Sequence, residues 1–305
     1  LADSIEQAVR EAAKNMTMVD LRVGATQLRD VDPKWFNGKN FGGKNPADIV
    51  HGLIFDGRDP VVVSDQLLVV QGVTPSAQTV FTLTNWSGHP ETRGEDNNLV
   101  TSDYVHALRE HLEGKYGGMA MHQPESLGGM QSALNGDVPL IADGGEHRFQ
   151  SCDASAVTTA TDSECFGKSA GDPRVDADGD PVPVWAERKS WAFVHSLGVH
   201  LGEAAVAALD AGERFTAAPI AVDVEEFALP IENETYNLLA PFKIFDLGQA
   251  DAVYDEETCP EYHSGDTKLG CILTRVFRIQ LGPIGWSTVP GELLPELARG
   301  FPVTD

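Results

Sequence analysis

Two residues stand where strand ends would hold reactive groups stiffly. The run TVFTLTNW, residues 79–86, alternates β-forming side chains and breaks at Ser87-Gly88. A His89-Pro90 pair follows, ahead of a loop rich in Gly, Asn and acidic residues. An imidazole on such an edge, flanked by small residues, projects above a sheet and suits a metal ligand or a catalytic base. The plainer alternative is a core-edge histidine with a satisfied hydrogen bond. Late in the chain, Pro290-Gly291 turn the backbone after a β segment and expose Glu292. A carboxylate there can reach inward to a cation without competing with ladder hydrogen bonds. Alternatively it sits in solvent and opens a helix over 293–297, where it complements the helix dipole.

A third constellation is DADGDPVPVWAE, residues 176–187. Asp176, Asp178 and Asp180 take the first, third and fifth places of an EF-hand-like calcium loop and Glu187 the twelfth, with a helix following. Pro181 stands where that loop requires glycine, so a solvated acidic loop is the competing reading. The pairs His195/His200 and His106/His111 are each five residues apart on helical segments. That spacing separates them by about 140° around a helix, so neither pair can share one ion from a single face. Packing or capping roles are expected for these four.

The elements that must position these residues follow from periodicity. Leu1, Ile5, Ala8, Val9 and Ala12 predict an opening amphipathic helix. A Gly- and Asn-rich loop at 36–46 precedes strands at 60–64, 66–71 and 79–86. Ser102 is expected as the N-cap of a helix running to about residue 113, with Asp103 in its first turn. A short strand follows at 117–122. Residues 143–184 are polar and aperiodic, marking a long surface excursion. A helix over 187–211 carries the stripe Trp191, Val194, Leu197, Leu201, Ala205 and Leu209, and strands follow at 220–227 and 272–281. Interleaved strands and helices predict a mixed α/β fold with β-sheets layered against flanking helices, as a single large domain over 1–305.

Composition bounds the function. With 42% hydrophobic residues the 305-residue chain can fill a sizeable core. Lys plus Arg number 22 against 46 Asp plus Glu, a net charge of -24, which excludes a counterion-releasing grip on nucleic acid. No apolar run approaches the roughly 20 residues that cross a bilayer, so no transmembrane segment is expected. The chain starts at Leu1 without a leader, which implies either processing or an upstream segment. Four cysteines allow three pairings. The local pairs Cys152 with Cys165 and Cys259 with Cys271 are preferred, because each closes a polar loop that has little core of its own. Two such bonds imply a secreted, extracellular or periplasmic protein. Free thiols and a zinc site helped by His263 are the alternatives. Asn15, Asn85 and Asn233 stand in glycosylation sequons that carry no weight here.

Four segments occur in a telling order: NWSGHPETRGEDNNLVTSDY, then NGDV at 135–138, the helix SLGVHLGEAAVAAL, and the late VPGE. Together they resemble the N-terminal catalytic domain of the neutral/alkaline, non-lysosomal ceramidase family. The resemblance implies a zinc amidase, in which the metal activates water against the carbonyl of an N-acyl lipid and polarises that carbonyl. It implies His89 and Glu292 as zinc ligands, Asp137 as a catalytic residue, and an amphiphilic or lipid substrate as partner. The chain departs from the family in four ways. The early His-x-His ligand motif and the late tyrosine ligand have no counterpart, which implies a missing N-terminal segment of the same domain. Pro139 replaces the serine that usually follows Gly-Asp-Val, and the Asn-Arg-Ser-Pro element is absent from 30–59. Two rival readings stand beside the zinc amidase. One is a catalytically silent, disulfide-stapled extracellular domain binding calcium or a partner; the other is an unrelated metallohydrolase of mixed layers.

Overall fold

The computed structural model describes residues 2–28, 54–56, 62–95, 97–132, 136–153, 165, 168–176, 178–216, 218–235, 252–253, 255–260, 263 and 270–299. The loop expected at 36–46 lies outside them. The chain divides into two compact units, Leu1–Thr216 with Leu293–Asp305, and Ala217–Glu292. Each is taken by itself below.

The first unit opens on α1 (Ala2–Lys14), which is exposed along its length and laced by an Arg10–Glu6 pair at 2.7 Å. Its main sheet joins β1 (Asp20–Gln27), β3 (Gln66–Val73), β4 (Thr79–Trp86), β5 (Met119–Pro124) and β7 (Glu213–Phe215) in the order β5-β4-β3-β1-β7. A small sheet pairs β2 (Ile54–Asp56) with β6 (Met130–Ser132). Of the strand expected at 60–64, residues 62–64 are described and are irregular, whereas β1, which sequence periodicity did not suggest, runs in the sheet interior. Its residues Asp20–Gln27 alternate poorly because one face is covered by a helix at close range.

That helix is α3 (Trp191–Asp210), which packs on β1, β3 and α2 (Tyr104–Tyr116). A Cβ on Gly24 of β1 would fall 2.0 Å from the Ala208 carbonyl oxygen, so only glycine lets strand and helix meet there. On its other side, Gly198 and Gly202 lie one turn apart. A Cβ on Gly198 would meet the Tyr104 carbonyl at 2.4 Å, and one on Gly202 would meet the His111 ring at 2.6 Å. By length and composition α3 could cross a bilayer, yet 72% of its apolar stretch is buried against protein, as a core helix requires. Leu197, Leu201, Ala205 and Leu209 of the expected stripe join Leu67, Val69, Trp86, Leu108 and Phe193 in the core.

The helix starts differ from expectation for one reason, capping. Ser190 accepts the amide of Phe193, so α3 begins at Trp191 rather than near 187. Asp103 rather than Ser102 caps α2: its carboxylate accepts the Tyr104 amide at 2.8 Å. The same carboxylate accepts the Thr92 hydroxyl and the Arg93 amide, and so ties down the loop between β4 and α2.

Among the described residues between 138 and 186, isolated bridges form a ladder: Pro139↔Trp185, Ile141↔His147, Phe149↔Pro183, Ser151↔Pro173 and Val175↔Pro181. The described part of the expected excursion is therefore backbone-paired, and a disulfide joins Cys152 to Cys165 within it. After the second unit the chain returns in α4 (Pro295–Arg299), which starts later than the expected 293.

The second unit is antiparallel. β8 (Ile220–Pro230) pairs with β10 (Cys271–Leu281), which also pairs with β9 (Ala252–Val253) and with β11 (Ile284–Ser287). The disulfide Cys259–Cys271 anchors the first residue of β10. Both expected pairings are present, and the fold is mixed α/β.

Candidate functional site

β4 and β5 are the one parallel pair among the described strands, and α2 makes the crossover between them. Parallel strands joined through a helix end on the same side, which is where open α/β sheets place their chemistry. His89 lies just beyond the end of β4 and is half-buried. Its neighbours explain the small residues before it. A Cβ on Gly88 would fall 2.4 Å from the buried Trp86 indole, so the chain crosses that ring only as glycine. Tyr104, fully buried and edge-on to Trp86 with ring centroids 5.5 Å apart, donates its hydroxyl to the Gly88 carbonyl. The backbone that carries His89 is thus clamped from below.

Glu125 leaves β5 at the same edge. Its amide donates to the Trp86 carbonyl at 3.2 Å. Its carboxylate accepts Ser87 Oγ at 2.6 Å and also the Ser64 hydroxyl. Beneath it, His122 meets Thr84 Oγ1 at 3.0 Å, and burial pushes its imidazole down to about 4. The adjacent Tyr104 phenol is pushed well above its ordinary range by burial and by the Asp103 charge.

The loop that follows His89 encloses a cavity of about 470 Å³, lined from Pro90 to Asp103 and including Arg93, Asn97 and Thr101. The Arg93 guanidinium lies 4.6 Å over the Trp191 ring, and its buried Nε–H has no acceptor among the described residues. A cation stacked on an aromatic face with an unspent donor is poised to bind a polar acceptor.

The other residues singled out by sequence are dispersed. Glu292 ends the second unit, exposed, after Gly291 with its φ of 115°. His89 and Glu292 therefore sit in different units. The Asp137 carboxylate accepts Arg188 Nη2 at 2.8 Å and Nε at 3.2 Å, so its charge is paired. Asp176 caps a β-hairpin turn, its Oδ1 accepting the amides of Asp178 at 3.0 Å and Asp180 at 3.1 Å. Glu187 lies past the returning strand of that hairpin, exposed. The acidic segment is therefore a turn between two paired strands, where a calcium loop of the expected kind is entered from a helix. Asn85, in a sequon, is buried and donates to the Gln123 carbonyl.

One cluster escaped the sequence reading. His200 and Glu203 are three residues apart on α3 and share a face, and the bridge Ile141↔His147 brings His147 to them. His147 Nε2 lies 2.8 Å from Glu203 Oε1, and His200 Nδ1 lies 3.4 Å from Glu203 Oε2. The two imidazoles meet edge to face, with centroids 5.4 Å apart. Burial raises the Glu203 carboxyl, but hydrogen bonds from His200 and His147 outweigh it and hold the group below its ordinary value. His111, on the facing helix, is pushed down by burial against the pull of Glu203. Pairing each histidine with its neighbour five residues away concealed this group; the His-x-x-Glu spacing within the helix was the available signal.

No protein-family model matches the chain, and no curated protein matches it. Among solved structures, the chain is similar to the neutral ceramidase from Pseudomonas aeruginosa, at 10% identity and a TM-score of 0.48, over 93% of this chain and 42% of that one. It is also similar to a ceramidase complexed with C2, at 11% identity and a TM-score of 0.46, over 90% of this chain and 42% of that one. The chain spans less than half the length of either.

Proposed function

We propose that this chain is part of a zinc-dependent hydrolase resembling the neutral ceramidases, acting outside the cytoplasm on an N-acyl amide of an amphiphilic, lipid-like substrate, with His89 and Glu292 as zinc ligands. The observation that supports the reading best is the placement of His89. It is a half-buried imidazole at the end of the parallel strands, on a clamped backbone, directly before the residues that line a cavity of about 470 Å³. An imidazole and a carboxylate are zinc donors by type, and the exposed Glu292 is accessible for the role. When bound, zinc lowers the pKa of water towards neutrality and polarises a carbonyl. The chain's own groups supply the rest. Ser64 and Ser87 orient Glu125 at the same edge as a proton acceptor, and Arg93, in the cavity lining, brings a cation to a polar group of the substrate. Asp137 acts together with Arg188, its charge partner. The two disulfides suit an oxidising compartment.

The test uses the protein with its natural flanking sequence. Hydrolysis of a short-chain N-acyl sphingoid base and zinc content are measured for wild type and His89→Ala. Loss of both activity and one zinc equivalent, with an unchanged circular dichroism spectrum, is expected. A second reading, a catalytically silent module that binds a partner, is favoured by Pro139 in the serine position and by the pairing of Asp137. Wild-type protein that is folded, zinc-free and inactive would establish it.

A further inference from the structure

We infer that His147, His200 and Glu203 form a binding site for one divalent transition-metal ion of the zinc class, built from residues other than those proposed for catalysis. Four observations converge on it. The first is spacing. The three ligand atoms all lie within 4.8 Å of one another. A tetrahedral ion with N and O ligands at about 2.1 Å needs them about 3.4 Å apart. The His200 Nδ1–Glu203 Oε2 separation of 3.4 Å matches that value, and the His147 Nε2–Glu203 Oε1 separation of 2.8 Å has to open by about half an ångström to admit the ion.

The second is tautomer. The His200 ring is buried, and its Nε2 meets the Pro139 carbonyl oxygen at 2.9 Å. A carbonyl only accepts, so Nε2 carries the proton and donates it, and Nδ1 turns towards Glu203 Oε2. In a neutral ring the Nδ1 lone pair is then the one an ion shared with Glu203 would take; without an ion the same nitrogen hydrogen-bonds to that carboxylate. A backbone carbonyl that fixes one ring nitrogen so that the other can ligate is the usual outer shell of a metal-bound histidine.

The third is preorganisation. Helical spacing locks His200 and Glu203 onto one face. One short segment places everything else. Pro139 orients the His200 ring, Ile141 is bridged to His147, and the Ile141 amide donates to Ser196 Oγ at 2.9 Å, tying the segment to α3. The fourth is donor chemistry and access. Two imidazoles and one carboxylate suit zinc and its first-row neighbours, whereas calcium and magnesium demand an oxygen shell. The His200 side chain is 8% exposed, but His147 is 42% and Glu203 39%, so the fourth coordination position faces solvent. A net charge of -24 draws cations to this surface.

The rival is a metal-free His–Glu–His hydrogen-bond network. The chain, stripped with chelator, is titrated with zinc against a chromophoric competitor, and separately with Co²⁺ while visible absorption is followed. Wild type is expected to take up one equivalent that His147→Ala and Glu203→Gln bind at least about a hundredfold more weakly, and to develop intense d–d bands that both variants lack. His89→Ala is expected to retain this equivalent, so failure here and failure of the hydrolase reading are separable. His147 is exposed and Gln is isosteric with Glu, so both variants should match wild type in metal-free melting. Equal uptake and identical cobalt spectra in all the proteins, or no uptake by wild type, would overturn the inference.

Discussion

His89 and His200 are both held by regular structure, but in opposite ways. His89 stands where a strand has just ended, directly before a loop that lines an open cavity. His200 stands in the middle of a buried helix, and its ring meets Glu203 of that helix together with Pro139 and His147 of the preceding segment. The first arrangement leaves room for a substrate and draws few protein ligands from its own unit. The second collects ligands and leaves room for little else. A strand end therefore suits turnover, and a helix face suits retention of an ion, which at the inferred site would tie the segment of Ile141 and His147 to α3.

The widest separation of the two regions is expected in activity. His89→Ala should lower hydrolysis at least about a thousandfold, equivalent to about 4 kcal/mol of transition-state stabilisation. His147→Ala should leave the rate within about threefold, well under 1 kcal/mol. Steady-state kinetics on the two variants with natural flanking sequence decides it. Equal losses would merge the two sites into one and end the distinction.

The next largest effect is on packing. Gly24→Ala drives a Cβ to 2.0 Å from the Ala208 carbonyl, a backbone atom that cannot step aside. Displacing α3 should cost about 3 kcal/mol or more. It should also loosen the His200–Glu203 face while sparing the strand end at His89. Urea unfolding gives the stability, and cobalt spectra give the geometry of the helix site.

Slightly smaller is the loss of the Cys152–Cys165 bond, which closes a loop with a separation of 13 residues and is worth about 3 kcal/mol. Because it staples the ladder that carries His147, the double serine variant should weaken metal binding there more than it weakens turnover. The His122 imidazole contributes on the other side. Its folded pKa of about 4 lies below the ordinary value, so the unfolded chain binds the extra proton first. The stabilisation is complete above about pH 6.5 and is lost as the pH falls to about 4, at most about 3 kcal/mol. Melting of His122→Asn should show a flatter pH dependence across that window. An unchanged slope would mean that His122 is not the buried neutral group at the strand end.

How much of this could be read from the sequence varies with the range of the interaction. The strand at 79–86 and the two disulfide pairs were legible, because alternation and short loops are local properties. The α2 cap was misplaced by one residue, since Ser102 and Asp103 are equally good caps until the loop at Thr92 and Arg93 chooses between them. β1 was missed because its pattern is set by a helix almost two hundred residues away, against which Gly24 must pack. The same distance hid the His147 cluster. Two of its members were visible as a helical pair, but the third arrives through a ladder of single bridges that no periodicity announces.

The smallest effect concerns the acidic hairpin, where calcium and turn chemistry make opposite predictions. Asp176 Oδ1 accepts two backbone amides, the Asp176 amide donates to the Asp180 carbonyl at 2.9 Å, and Gly179 takes the positive φ of 90° that the turn needs. A side-chain oxygen that caps a turn requires no charge, and asparagine supplies the same oxygen. Asp176→Ala should therefore cost about 1 kcal/mol and Asp176→Asn almost nothing, with millimolar calcium shifting neither melting curve. A calcium ligand behaves otherwise, since asparagine forfeits the charge that holds the ion. If Asn proves as damaging as Ala, and only the wild type is stabilised by calcium, the hairpin is an ion site and its geometry is secondary.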